Sequence, residues 1–258
     1  MYMPRRTSRH RTRLRWVAGQ ALVVLAAVFC YFQVRGLTSA APEVAYDHAG
    51  ELMRLERDTG IDVEGVVQAP VLAYHSLEVL ANWIYIWGHW PVIIVAMVWL
   101  AWQHRPVFLR LRDAMLVSGA MGLVVFVTYP VAPPRLVDPD LVDTVTEASH
   151  AYRVLQPPNF VNQYAAMPSL HAGWDLLVGI SIVTAATHVA LRLVGWTLPA
   201  LMAFAVVATA NHYIVDVVAG IVFALVGYGA ALLLERRRAA RQAARRAPRP
   251  AARRAAAP

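Results

Sequence analysis

The sequence predicts an all-α polytopic membrane protein: a six-transmembrane-helix bundle with amphipathic helices lying at the membrane interface. Three observations carry this. The 258 residues are 58% hydrophobic and only 16% charged, far more apolar than a soluble domain. Several apolar runs approach the ~20 residues a helix needs to cross a bilayer, and backbone surrounded by lipid must satisfy its own hydrogen bonds as helix. The 24 basic residues are all arginine and crowd the two ends and the borders of the apolar runs, as topology signals do.

Taken in order, residues 1–15 form a basic N-terminus with six arginines and no acid. Residues 16–41 hold the first span, from Trp16 to about Val34, and a linker. Thr38-Ser39-Ala40-Ala41 is the nearest approach to a signal-peptidase site, and the span is read as uncleaved. Cys30, the single cysteine, lies inside it and reads as a small apolar residue. A membrane domain is expected over 42–235. It opens with two amphipathic stripes, Ala45, Ala49, Leu52 and Leu55, then Val63, Val66, Val67 and Val71, with charged residues between them. The second span, Trp83–Trp102, is flanked by interfacial aromatics, with Pro91 as a source of a kink. The third covers about Ala114–Ala132. A long polar loop, Pro133–Met167, follows; loops of that length usually carry function. The fourth, fifth and sixth spans cover about Leu170–Leu191, Val194–Ala210 and Val215–Leu234. Residues 236–258 are low-complexity Ala, Arg and Pro and are expected to be a disordered basic tail.

Six spans put both termini on one side. That side then holds nineteen arginines against five on the other, so both termini are expected in the cytoplasm of a multi-pass cell-membrane protein. A net charge of +8 arranged this way suits anionic lipid headgroups rather than nucleic acid.

With that topology three distant stretches meet at the outer face: Tyr129 to Arg135, Met167 to His171, and Asn211 to Asp216. Ionisable groups at a membrane boundary are functional suspects, and this set suits phosphoryl transfer. The neutral imidazole of His212 can attack phosphorus and form a phosphohistidine. Asp216, four residues on, can accept its other ring proton. His171 can serve as acid and base. Arg135 can hold phosphate oxygens, and Ser169, at the start of span four, offers an anion site at a helix N-terminus. Asn211 reads as the cap of span six, with His212 in its first turn. Asn211, Tyr213, Asp175 and His89 are candidate substrate contacts; Asp175, one turn past His171, can hydrogen-bond that ring or a substrate hydroxyl. Tyr164 and Asn162 can reach a headgroup, and Arg153 can add a cation. No acidic or Cys/His cluster demands a metal, so metal-independent chemistry without a cofactor is expected.

Pro168-Ser169-Leu170-His171 and His212-x-x-x-Asp216 resemble the second and third signatures of the type 2 phosphatidic acid phosphatase superfamily. Met167, Leu170, the His212-Tyr213 pair and Ala132-Pro133-Pro134-Arg135 are most similar to its inositolphosphorylceramide synthase-like branch. The resemblance covers about residues 50–235. It implies a six-helix membrane bundle in which His212 is the nucleophile, Asp216 its partner and His171 the acid and base. It departs from the phosphatase branch in two places. The chain has no lysine for that branch's Lys-x6-Arg-Pro motif, so Arg135 stands in for it, and Val206–Ala210 lacks the arginine ahead of the nucleophile.

The expected function is therefore a membrane enzyme acting on a phospholipid or lipid phosphate within the bilayer. It transfers a phosphoryl group or a phospho-headgroup such as phosphoinositol at the outer face. A lipid phosphate or polyprenyl diphosphate phosphatase uses the same residues with water as the acceptor. A transporter or channel with histidine proton relays is the third reading, disfavoured because spans three, five and six are almost wholly apolar at mid-depth.

Overall fold

The computed structural model describes residues 5–37, 42–148 and 163–246. Among them the chain is helical without strands; Val131 and Ala165 form an isolated bridge. Arg153 and Asn162, named above, lie outside the described residues.

Helix α1 (Arg5–Leu37) runs without interruption from the basic terminus through the first apolar run, so residue 15 is not a structural boundary. It leans on α6 through the edge-on pair of Trp16 and Phe108. Helix α2 (Pro42–Thr59) buries Ala45, Ala49, Leu52 and Glu56. Its last turn closes at Gly60, whose φ of 74° suits a residue without Cβ. Helix α3 (Glu64–Ala73) buries Glu64, Gln68 and Val71 and leaves Val66 74% exposed. Its inner face is thus the polar one.

The second expected span is two helices, α4 (His75–Trp87) and α5 (Trp90–Gln103), bent by 43°. The break falls at Gly88–His89, with Pro91 in the first turn of α5. Proline there opens a helix, since the N–H it lacks would be unpaired anyway. Helix α6 (Arg105–Thr128) follows after His104, so Arg105, Arg110 and Arg112 lie on a helix instead of in a loop. The long loop holds two short helices, α7 (Pro134–Val137) and α8 (Thr144–Ala148). Side chains of the preceding helices secure it: Gln68 donates to the Val142 carbonyl, and Asn82 to that of Thr144. Helices α9 (Leu170–Ala185), α10 (Val189–Ala208) and α11 (Ile214–Arg246) complete the chain.

Four of the described helices, α1, α6, α10 and α11, are long and apolar enough to cross a membrane, and the bent α4–α5 pair makes a fifth. The expected six would require the shorter α9 as well. Helix α9 has only 16 residues, about 24 Å of rise against a hydrocarbon core of ~30 Å. Helix α11 exceeds expectation: it continues to Arg246, which corrects the reading of 236–246 as disordered. Arg110 pairs with Glu235 at 2.9 Å, and Asp113 with Arg112 and Arg238, fixing this extension against α6.

Small residues let the helices cross closely, as membrane helices do. A Cβ on Gly220 would lie 2.0 Å from the Ser169 carbonyl oxygen, and one on Gly173 2.4 Å from that of Gly220. The Gly179–Gly195 crossing joins α9 to α10 in the same way. Leu100, Leu111 and Leu177 fill the interior, while Ile94, Val98, Val124, Phe204, Val218 and Val222 point outward. That inversion of the water-soluble pattern marks a surface solvated by lipid.

Candidate active site

The close α9–α11 crossing has a direct consequence at its upper end. The Ser169 N–H donates to the Asp216 carbonyl at 2.9 Å, locking the first turns of the two helices together. His171 and His212 are thereby brought to one level.

Three residues before His212 the chain reverses. At the end of α10 the Asn211 N–H donates to the Val206 carbonyl and the Ala210 N–H to that of Val207, with Ala210 left-handed at φ 53°. This is the usual glycine-terminated helix stop built on an alanine, a conformation costing about 1–2 kcal/mol. Asn211 is not the cap of α11, as expected from sequence. Its Oδ1 accepts from Arg135 Nη1 at 2.7 Å and its Nδ2 donates to Thr209 Oγ1 at 2.8 Å. The helix starts at Ile214, so His212 stands just ahead of it and Asp216 falls in its first turn.

The N–H groups that open α11 are taken by carboxylates. Asp216 Oδ2 accepts from Tyr213 N at 3.0 Å, Glu64 Oε1 from Ile214 N at 2.9 Å, and Glu56 Oε1 from Val215 N at 2.8 Å. Negative groups are favoured there by the free donors and the helix dipole.

His212 is buried. Its Nδ1 donates to the Ala166 carbonyl at 2.8 Å and lies 3.4 Å from Asp216 Oδ2. A carbonyl can only accept, so Nδ1 carries a proton, and in the neutral ring the lone pair is then on Nε2. The His171 ring centre is 5.9 Å from that of His212. On its other sides His171 stacks against Tyr85 at 4.7 Å and meets the tilted ring of His89 at 4.2 Å. His89 Nδ1 bonds Asp175 Oδ1 at 2.8 Å, so Asp175 serves the neighbouring histidine. Its Oδ2, like Oδ1 of Asp216, is buried with no hydrogen-bond partner.

The other expected residues are distributed around this group. Arg135 Nε is held by Asp143 at 3.0 Å and Nη1 by Asn211, which puts the guanidinium beside the turn leading to His212. Ser169 caps α9, its Oγ accepting from Ala172 N; its hydroxyl proton is what remains for an anion. Tyr213 is buried, its hydroxyl donating to the Ala132 carbonyl. Burial, with Asp216, Glu56 and Glu64 around it, pushes that phenol up, so it remains a neutral donor within the fold.

Glu56 and Glu64 escaped the sequence reading. The signal was there: 45, 49, 52 and 56 share one helical face, but Leu55 was taken as its last member because it is apolar. Burial holds Glu56 well above the ordinary carboxyl range, at about 8, with the charges of Glu64 and Asp216 adding to the effect. Among the described residues no group of three or more His, Cys, Asp or Glu side chains is arranged to hold a metal ion.

Fold and site together define a multi-pass helical membrane protein with a buried polyhistidine and carboxylate centre at one end of its bundle. Residues 50–230 match the sequence pattern of the PAP2 superfamily, and the chain belongs to that superfamily. No curated protein and no solved structure matches it. Membership points to lipid phosphatase or phosphotransferase chemistry.

Proposed function

We propose that this protein transfers a phospho-headgroup, phosphoinositol being the favoured example, from a phospholipid to a lipid hydroxyl through a phosphohistidine on His212. The observation that carries the reading is the pairing of the two histidines. His212 has its Nδ1 proton committed to Ala166 and Asp216, and the His171 ring lies 5.9 Å away. A phosphoryl group seated between the rings is within near-attack reach of both.

In the first step Nε2 of His212 bonds to phosphorus and the bond from phosphorus to the lipid oxygen breaks. That oxygen leaves with a proton from His171. In the second, the acceptor hydroxyl gives its proton back to His171 as its oxygen attacks phosphorus, and the P–N bond breaks. Asp216 balances the charge on the His212 ring between the steps. Arg135, with Nη2 as its remaining donor group, and the Ser169 hydroxyl hold phosphate oxygens. The His89–Asp175 pair supports the His171 ring from behind. No step calls for a metal.

The topology supports an outward-facing site. With α9 and the bent α4–α5 pair counted as spans, both termini fall on the arginine-rich side, and α2 and α3 lie at the opposite interface. Water as the acceptor turns the same steps into a phosphatase reaction.

Purified protein given a headgroup-labelled phospholipid, with and without an alcohol-bearing lipid, tests this. New labelled lipid supports transfer, and free phosphate or free phospho-headgroup in its place supports hydrolysis. Full turnover by both His171→Ala and His212→Ala overturns the site.

A further inference from the structure

We infer that Glu56 and Glu64 are positioning residues for His212 and Asp216, holding the start of α11 through two buried carboxyl groups that accept from its first main-chain N–H groups. The inference rests on the reaction proposed above for its kinetic consequences, and on geometry alone for the pair itself. Glu56 comes from α2 and Glu64 from α3; they are 1% and 3% exposed. Each accepts from a main-chain N–H of the first turn of α11, at Val215 and Ile214. Between them and His212 stands only Tyr213, whose own N–H goes to Asp216. Three consecutive amides are thus fixed by three carboxyl groups from three helices. The residue immediately before them is the proposed nucleophile.

Burial above all, with the neighbouring Glu64 and Asp216 adding to it, raises the Glu56 carboxyl to about 8. Glu56 is therefore protonated at neutral pH, and its carbonyl oxygen accepts from Val215. Its surroundings favour that state. Asp216 faces it from α11, Tyr213 from just before α11, Asp138 from the turn after α7, and Asp62 from the α2–α3 link. His212 lies beyond Asp216. Arg135 on α7 is engaged by Asp143 and Asn211, and on α4, which packs against α3, His75 and Glu78 pair with each other. Loss of the Glu56 proton sets a further charge beside Glu64 and Asp216 and loosens the clamp on the His212 segment. Activity then falls as pH rises past about 8.

Two measurements test this. In the first, kcat and KM are followed from pH 6 to pH 10 for wild type, Glu56→Gln and Glu56→Ala. Glutamine keeps an acceptor for Val215 but cannot ionise. Glu56→Ala is expected to lose about tenfold or more in kcat, the usual scale for an orphaned buried donor, with KM little changed. Glu56→Gln should restore most of that loss and remove the alkaline fall seen in wild type. In the second, amide hydrogen exchange is measured over 211–217 in the same proteins and in Glu64→Ala. Both alanine variants should speed exchange there and leave α9 unchanged. The inference is overturned if the Glu56→Gln profile overlays that of wild type, or if the alanine variants leave exchange over 211–217 unaltered. Exchange needs no substrate, so absent turnover in wild type counts against the reaction while the exchange result still decides the pair.

Discussion

The main-chain N–H of Ser169 bonds to the carbonyl of Asp216 at 2.9 Å, and this bond sets how far His171 stands from His212. It exists because Gly220 lets α11 come up against the Ser169 carbonyl, where a Cβ would lie 2.0 Å away.

Gly220→Ala should therefore damage both fold and site. The clash is with backbone, which cannot rotate aside, and overpacking of this kind costs about 1–3 kcal/mol. The thermal midpoint in detergent should fall by several degrees and kcat by more than tenfold. Gly229→Ala, where an added Cβ meets nothing within 4 Å, is the control and should leave both unchanged.

His212→Ala should abolish a labelled, acid-labile phosphoenzyme formed on rapid mixing with donor lipid. Asp216→Asn keeps the shape but not the charge facing the ring, and should slow formation at least a hundredfold, on the scale of triad carboxylates. His171→Ala should slow both formation and breakdown, since one ring handles both protons. Quench-flow with acid and base treatment separates these outcomes. Phosphoenzyme surviving in His212→Ala would move the nucleophile elsewhere.

His89 and Asp175 should behave as a unit. Removing one partner leaves the other's buried polar group unsatisfied, which costs about 1–3 kcal/mol, and Asp175 already has one oxygen without a partner. Asp175→Asn and His89→Phe should each lower the thermal midpoint, and the double variant should lose less than the sum of the two. Additive losses in a double-mutant cycle would mean that the pair contributes no coupling.

Stability should depend on pH through Glu56. Its carboxyl is raised from 4.5 to about 8 in the folded protein, so the native state holds the proton more tightly than the unfolded chain does. Its contribution is complete below about 4.5 and is lost as pH rises through 8. The difference in thermal midpoint between wild type and Glu56→Gln should therefore move against wild type from pH 5 to pH 9. A constant difference would show that Glu56 does not titrate in this range.

A chelator should leave lipid turnover intact, because each proposed step is assigned to histidine, carboxylate or arginine. Activity lost to chelator and restored by a divalent cation would contradict that assignment.

Much of the site was legible before the fold, because its chemistry is written in side-chain type. A histidine and an aspartate four apart, a second histidine behind Pro168-Ser169, and Arg135 beside a proline pair are visible in one dimension. The structure brings these residues to one end of the bundle. The helical class was equally legible, since apolar length and arginine placement are local properties of the chain. The number of spans was not. Helix α9 is apolar but shorter than the other candidate spans, and the second expected span is broken at Gly88–His89, where Gly88 lies beside Met202 of α10.

Only the tertiary structure decided what each polar group is bonded to. Asn211 looked like a cap and is instead the partner of Arg135 and Thr209; Tyr213 looked like a contact and is core. Asp175 looked like a partner for His171 and bonds His89. Glu56 and Glu64 were not singled out in the sequence, and both accept from the first N–H groups of α11. The physical reason is common to all of them. Helical periodicity tells which residues share a face, but whether that face meets lipid, water or another helix's free N–H groups is settled by helices distant in sequence. The sequence by itself determined the helical class and which groups are proposed to react. The glycine crossings and the carboxyl clamp, which exist only in three dimensions, determined how those groups face one another.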